Sequence, residues 1–380
     1  MSFEETESTA RRSMAAKSQG AGQAPVIRGT YREDRSYDWN YDHGPVFETP
    51  WPSVPRTRPR QFLGFKVNSR LGIAAGLLLN SRWIDTYARL GFDILTYKTV
   101  RSVKRKCYPK PNWLYIPESI GLERSKRGVQ AVASRKPGET SVTSTVSFGM
   151  PSKSPEVWMA DVARARSCLA TGQVLIVSVV ATPSPGQGAA ELVADFARLA
   201  AMAREAGAHV VEANLSCPNV CTAEGDIYQD AELSGQVARA MRAASHDVPV
   251  LLKVGYLARS RQLESLLRSV SGHVNGVVLV NGLARPIYTT KGGAAFGKGR
   301  EVAGILGRGI HEMCVSSVTQ AVAIRDRLSL DLEILGVGGV ASEAEAARYL
   351  DAGAAAAMMG SAPMYDPLLA VRLKSARSDW

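Results

Sequence analysis

From Leu71 onward, short apolar runs of strand length alternate with longer stretches whose apolar residues recur at helical spacing. The runs are Leu71–Gly76, Asp93–Lys98, Val174–Val180, the segment ending at Asn214, Pro249–Val254, Gly276–Asn281, Leu332–Gly339 and Ala355–Ala362. Helices are expected at 81–90, 231–245, 259–271, 309–328 and 189–206, where Leu192, Phe196 and Leu199 share a face. Another is expected after Ser342, with Glu345 completing a capping box, and a short one closes the chain. Eight such strand–helix units in about 300 residues is the count of a (β/α)8 barrel. An open doubly wound sheet would carry its glycine fingerprint after the first strand, whereas here the glycines cluster after the last two. The expected fold is therefore α/β, a (β/α)8 TIM barrel with an N-terminal arm, a hairpin after Pro59 and a long insertion after strand two. That insertion runs from 99 to about 155 and holds the β-prone stretch 141–148. A Gly-rich loop, Lys291–Arg300, is expected to lead into the 309–328 helix.

The 380 residues, 45% of them apolar, suffice for one large core. Residues 1–55 show no apolar periodicity; the first ~25 read as a disordered tail. The aromatic-bearing part (Tyr31, Tyr37, Trp39, Tyr41, Trp51) reads as an arm packing on the body or on a partner subunit of a homodimer. The barrel domain is expected over 56–380. No apolar run approaches ~18 residues, so no membrane-spanning helix is expected. The N-terminus lacks a signal peptide's apolar core, and its early glutamates argue against a transit peptide. Five scattered cysteines suggest no disulfide framework, and Cys217 and Cys221 lack the second pair that a zinc site needs. No metal and a reducing cytoplasm are the natural inferences. The net charge of +11 concentrates in 56–70 and 101–136. Few aromatics interleave there, so a solvated rim attracting small anions accounts for it better than a nucleic-acid interface.

His209–Asn219 reads HVVEANLSCPN. Pro218 cannot join a ladder, so the strand should end about there, leaving Asn214, Cys217 and Asn219 at its carboxyl end. In a parallel α/β fold ligands bind at that end. Two amides need partners, which makes the stretch poor core material; a structural cysteine in an asparagine-rich turn is the reading that residue types alone leave open. Lys98 and Lys253 end apolar strands and should project into the barrel mouth, where an unpaired buried ammonium is costly. They mark a place that binds an anion or develops negative charge. Asn281 ends its strand in the same manner, and Ala74-Ala75-Gly76 ends the first with small residues, as if a flat ring lay there. Gly338-Gly339 follows strand seven and Gly360-Ser361 follows strand eight, the usual phosphate site of a barrel. Tight turns also call for glycine with no ligand present. The pairing of the two loops is what points to a phosphate-bearing cofactor.

NLSCPN, with LGIAAG, YKT, LLKV, VVLVN, GVGGV and MGSA in that order, resembles the dihydroorotate dehydrogenase family over roughly residues 60–375. The resemblance implies an FMN-binding barrel in which Cys217 transfers the proton, as in soluble class 1-like members. It implies that Lys98, with Thr99 beside it, sits near flavin and substrate, and that Lys253 lies by the flavin's pyrimidine edge. Asn214, Asn219 and Asn281 would contact ring amides, Gly149 and Met150 the substrate, and Gly338, Gly339, Gly360 and Ser361 the phosphate. Ala74, Ala75 and Gly76 would flank the cofactor.

The chemistry agrees with those roles. Oxidising a dihydropyrimidine removes a proton and a hydride from adjacent carbons; a thiolate on one face can take the proton while flavin N5 takes the hydride. Departures from the family pattern gather near the substrate: Val146 and Ser147 where an Asn is usual, Phe148 for a smaller contact, Asn112-Trp113 for an Arg, and Gly282 for a hydroxyl. The expected activity is FMN-dependent interconversion of a C–C single and double bond in dihydroorotate/orotate or a related cyclic amide. The alternatives are a tRNA dihydrouridine synthase-like FMN reductase and a flavin-binding, non-catalytic subunit.

Overall fold

The computed structural model describes residues 29–117, 122, 128–135, 139, 141–182, 184, 186, 188–216 and 226–380. The expected tail over the first ~25 residues, Cys217 and Asn219 lie outside the described residues.

The chain opens with helix α1 (Tyr37–His43) and the hairpin β1 (Arg60–Phe62)/β2 (Phe65–Val67). Eight parallel strands then close into a barrel in the order β3 (Leu71–Leu78), β4 (Ile94–Val100), β8 (Val174–Val179), β9 (Val210–Asn214), β10 (Val250–Val254), β11 (Gly276–Leu279), β14 (Glu333–Val337) and β15 (Ala356–Met359). Each expected run is a barrel strand. The helices between them are α2 (Ser81–Arg89), α3 (Pro155–Ser167), α4 (Ala189–Glu205), α5 (Ala231–Ser245), α6 (Ser260–Val270), α7 (His311–Leu328) and α8 (Glu343–Asp351), followed by α9 (Ala362–Tyr365) and α10 (Leu369–Ala376). No helix of the described residues is long and apolar enough to cross a membrane.

The structure adds elements that the apolar pattern does not show. The insertion after β4 holds β5 (Trp113–Tyr115), β6 (Val129–Gln130), β7 (Thr143–Val146) and helix α3. The Gly-rich loop does not run directly into α7: it joins β12 (Leu283–Tyr288) to β13 (Val302–Gly307), an antiparallel pair. These strands form a second sheet in the order β5-β7-β13-β12-β6, assembled from two crossovers of the barrel. The box at Ser342 is also altered. Its hydroxyl accepts from Glu345 N, while the Glu345 carboxylate accepts from Ala341 N rather than from the cap's own N–H.

The hairpin plugs the amino-terminal end of the barrel. Phe62, Leu63 and Val67 join the inward residues Ala74, Ile94, Val174, Ile176, Val210 and Leu251 in one apolar cluster. Leu63 N donates to the carboxylate of Glu333, the first residue of β14, at 3.3 Å. The aromatic arm packs on its own barrel. Thr30 N donates to Met364 O at 2.9 Å, Trp83 Nε1 to Asn40 O at 3.3 Å, and Tyr31 meets the rings of Trp83, Trp113 and Phe148.

Candidate active site

Side chains alternate along a strand, so residues two apart share the barrel's inner face. On β4 that face reads Ile94, Thr96, Lys98; on β8, Val174, Ile176, Ser178; on β9, Val210, Glu212, Asn214; on β10, Leu251, Lys253. Each series passes from apolar to polar toward the carboxyl end. The sequence thus writes a greasy floor, a polar level and a reactive rim on the same four strands.

At that rim lies a cavity of about 190 Å³. Its lining includes Gly76, Lys98, Thr99, Met150, Asn214 and Asn281, with Gly338, Gly339, Gly360 and Ser361 from the two glycine loops. Ten of the expected residues therefore meet in one place. Ala75 is half-buried beside Gly76, and its carbonyl accepts from Lys253 Nζ at 3.4 Å, which holds that ammonium just beneath the lining. Ala74 belongs instead to the apolar cluster of the barrel interior. Gly149 is buried with its open side against the Tyr108 ring, about 2.8 Å from a built Cβ, so it shapes the loop while Met150 reaches the cavity.

The amides are oriented. Asn214 Oδ1 accepts from Ser216 N at 3.1 Å, Asn214 Nδ2 points to Met150 Sδ at 3.6 Å, and Asn281 Nδ2 donates to Ser216 O. Two asparagines on separate strands are thus tied to the turn that follows β9. Thr99 Oγ1 and Ser178 Oγ share a hydrogen bond of 3.2 Å. Lys98, 8% exposed, holds its ammonium 4.7 Å above the centre of the Tyr37 ring, a cation–π contact.

The glycine loops are anchored from outside. Gly338 O accepts from His311 Nδ1 at 2.9 Å and from Tyr349 OH at 2.8 Å, so the loop is fixed by α7 and α8. Gly338 and Gly339 have φ of +133° and +71° and would drive a Cβ against Cys314 and His311. Gly360 differs, because a Cβ there meets nothing within 4 Å. The open cradle at Gly76 and Gly360, the hydroxyl of Ser361 and the cation of Lys98 in the same lining suit a flat ring carrying a phosphate. FMN fits that donor set.

Several lining residues carried no functional signal in the sequence. Tyr31 and Tyr37 come from the arm, Arg308 from the turn before α7, and Leu306 and Gly304 from the second sheet. Val146 and Phe148 also face the cavity, which makes its outer wall aromatic and apolar, whereas Asn112 is consumed structurally by three backbone carbonyls. A second hollow of about 440 Å³ lies across Tyr37, lined by Lys104, Arg105, Lys106 and Lys153 with Asp38 and Asp42. Part of the basic rim thus sits next to the mouth. Among the described residues no cluster of three His, Cys, Asp or Glu side chains could hold a metal.

The family model for dihydroorotate dehydrogenase matches residues 59–375. The chain belongs to the dihydroorotate dehydrogenase family. A dihydroorotate dehydrogenase of Dictyostelium discoideum is 32% identical over 364 residues, 92% of this chain and 97% of that protein. A quinone-type dihydroorotate dehydrogenase of Methylobacillus flagellatus is 25% identical, over 83% of this chain and 85% of its own. The crystal structure of the Eimeria tenella enzyme in complex with ferulenol shares the fold, with a TM-score of 0.65 at 15% identity over 85% of this chain and 84% of that one. Membership makes this chain an oxidoreductase acting on a CH–CH group. It also selects the first of the readings weighed from the sequence.

Proposed function

We propose that the chain binds FMN in the rim cavity and interconverts a single and a double bond between adjacent ring carbons of dihydroorotate/orotate or a related cyclic amide. The observation that carries this is the meeting of Lys98, Asn214 and Asn281 with the two glycine loops in one cavity. Bound FMN would supply the hydride acceptor. Gly338, Gly339, Gly360 and Ser361 would hold its phosphate, and Ala75, Gly76 and Thr99 its ring system, with Lys253 beneath. Asn214 and Asn281, able to donate and accept, would read the ring's amides together with Asn219. Gly149 and Met150 shape the substrate side. Lys98 favours negative charge at the ring. Cys217, in the same motif, would take the proton from carbon, as a thiolate positioned on one face.

The outer wall bears on which ring is preferred. Val146, Phe148 and Trp113 offer apolar surface there, and losing one buried polar contact to substrate is worth ~1–3 kcal/mol. Uncarboxylated dihydropyrimidines therefore belong beside dihydroorotate in any panel. The free thiols of Cys107, Cys168 and Cys314 suit the cytoplasmic setting, and a homodimer remains part of this reading.

The test is direct. Purified protein is expected to be yellow, to bleach with reductant under anaerobic conditions, and to recover colour when orotate or a related ring is added. Cys217→Ser and Cys217→Ala should keep the colour and slow turnover at least a hundredfold, within the ~10²–10⁴ range for a positioned base. A colourless protein indifferent to FMN would sink the proposal, and unchanged turnover in both variants would remove Cys217 from it.

A further inference from the structure

Beneath the cavity the barrel buries a pair of opposite charges, of which the reading above uses only Lys253 and leaves Glu212 without a role. Glu212 on β9 and Lys253 on β10 lie on neighbouring strands, where Leu251 pairs Glu212 and Lys253 pairs Asn214. They are 2% and 3% exposed. Lys253 makes one long bond, to Ala75 O. Ser178 stands beside Glu212 and eases its charge, yet Glu212 Oε1 has no hydrogen-bond partner, and neither has Thr96 Oγ1 on the same level. Burial pushes the Glu212 carboxyl up against the pull of Lys253, and pushes the Lys253 ammonium down against the pull of Glu212.

Stability does not explain such a pair. Apolar residues of similar volume would do as well or better in a barrel interior, whereas removing one partner leaves the other charge uncompensated. The one neighbour that could profit is a ligand in the cavity above, since Ala75 adjoins the lining residue Gly76. A cation there stabilises the two-electron-reduced flavin, which is anionic, only while it remains protonated. Lys98 on β4 is the other charged side chain on this inner face of β4, β8, β9 and β10, and it is not among the groups that shift Lys253 or Glu212; Thr96, Ser178 and Asn214 are uncharged.

We propose that Glu212 is a positioning residue that keeps Lys253 protonated beneath the flavin site, and so sets the pH range over which the reduced cofactor is stabilised. The proposal rests on the FMN reading above, and the two fail differently: loss of flavin binding tells against that reading, an unaltered potential against this one. The experiment measures the midpoint potential of bound FMN against pH, with reference dyes, in wild type, Glu212→Gln, Lys253→Met and the double variant, after flavin content has been read from the spectrum. At acid pH the Glu212→Gln potential should equal or exceed that of wild type. Above the pH at which the unaided lysine loses its proton, it should fall to the level of Lys253→Met. The expected fall is at least tenfold in the reduction equilibrium, about 30 mV for a two-electron couple. In the Lys253→Met background, Glu212→Gln should add no break, because its effect runs through the lysine. Should Glu212→Gln yield no flavoprotein, Glu212→Asp, which retracts the charge by one methylene, must show the break at lower pH than wild type. A potential that tracks wild type at every pH, a constant offset, or a break that persists without Lys253 would each overturn the proposal. A wild-type protein that holds no flavin overturns it together with the reading beneath it.

Discussion

The proposed cradle predicts that Gly360 serves a ligand, whereas Gly338 serves the fold. Gly360 lines the cavity, and a Cβ built on it meets no protein atom within 4 Å. Replacing it with alanine should therefore cost the folded protein nothing and even stabilise it by about 0.4–1 kcal/mol, through a less disordered unfolded chain. The same methyl would stand where the cofactor's phosphate approaches the backbone. Displacing one charge-assisted hydrogen bond is worth ~1.5–3 kcal/mol, so FMN should bind roughly ten- to a hundredfold more weakly. Gly338 is the control. Its φ of +133° disfavours any side chain, and its Cβ would lie 2.5 Å from the buried Cys314 Sγ. Gly338→Ala should lose on the order of 1–3 kcal/mol of stability with or without cofactor. Thermal melting of apo and FMN-loaded protein, with fluorescence-quenching titration of FMN, distinguishes the two. Gly360→Ala that melts well below wild type, or binds FMN as tightly as wild type, would refute the cradle.

Two further outcomes concern the scaffold. His209 Nδ1 accepts from Leu175 N at 2.9 Å, and burial, then the charge of Arg166, pushes the ring from 6.5 to about 4. The unfolded chain takes up that proton first, so stability present above pH 6.5 is lost as pH falls toward 4; the partly open ring discounts the loss to about 1–2 kcal/mol. Urea unfolding at pH 7 and 4.5 should show the loss in wild type and a smaller one in His209→Gln, and equal losses would refute it. Lys374 and Asp93 form an ion pair of 2.6 Å with both side chains 2% exposed. Lys374→Met should destabilise by ~3–5 kcal/mol, with much of that recovered when Asp93→Leu is added; a single variant as stable as the double would refute the pairing.

The barrel was legible because its strands are fully buried apolar runs, and its order because the glycines follow the last two of them. Helix α3 was not. Its buried face, Trp158, Asp161, Val162 and Ala165, is interrupted by an aspartate whose partners are Ser81 and Tyr97, some eighty and sixty-four residues away. The second sheet escaped for a related reason: β12 alternates irregularly between buried and open positions and carries Pro286, so it matches neither period. Lys98, Asn214 and Asn281 could be found because polar residues end apolar strands. Tyr31 and Tyr37 could not, since nothing in an arm's own sequence says which cavity it will cover. Glu212 was visible only as one charge in a strand; its meaning needs Lys253 across the register.

The gradient along β4, β8, β9 and β10 ties the two ends of the site to the fold in different ways. Lys98, Glu212, Asn214 and Lys253 stand on the inner face of paired strands, where a slip of one residue would send every one of them to the helix side. Their positions are therefore set by the same ladder that builds the barrel, and the apolar floor with its hairpin plug keeps water from that level. Val146, Phe148 and Met150 come instead from the end of β7, an inner strand of the small sheet, and the loop beyond it, joined to the barrel by crossovers. Substitution there leaves the ladder untouched. On the proposed reading, a change of ring preference can accumulate at the outer wall while the end assigned to the cofactor, tied to the register, stays as it is.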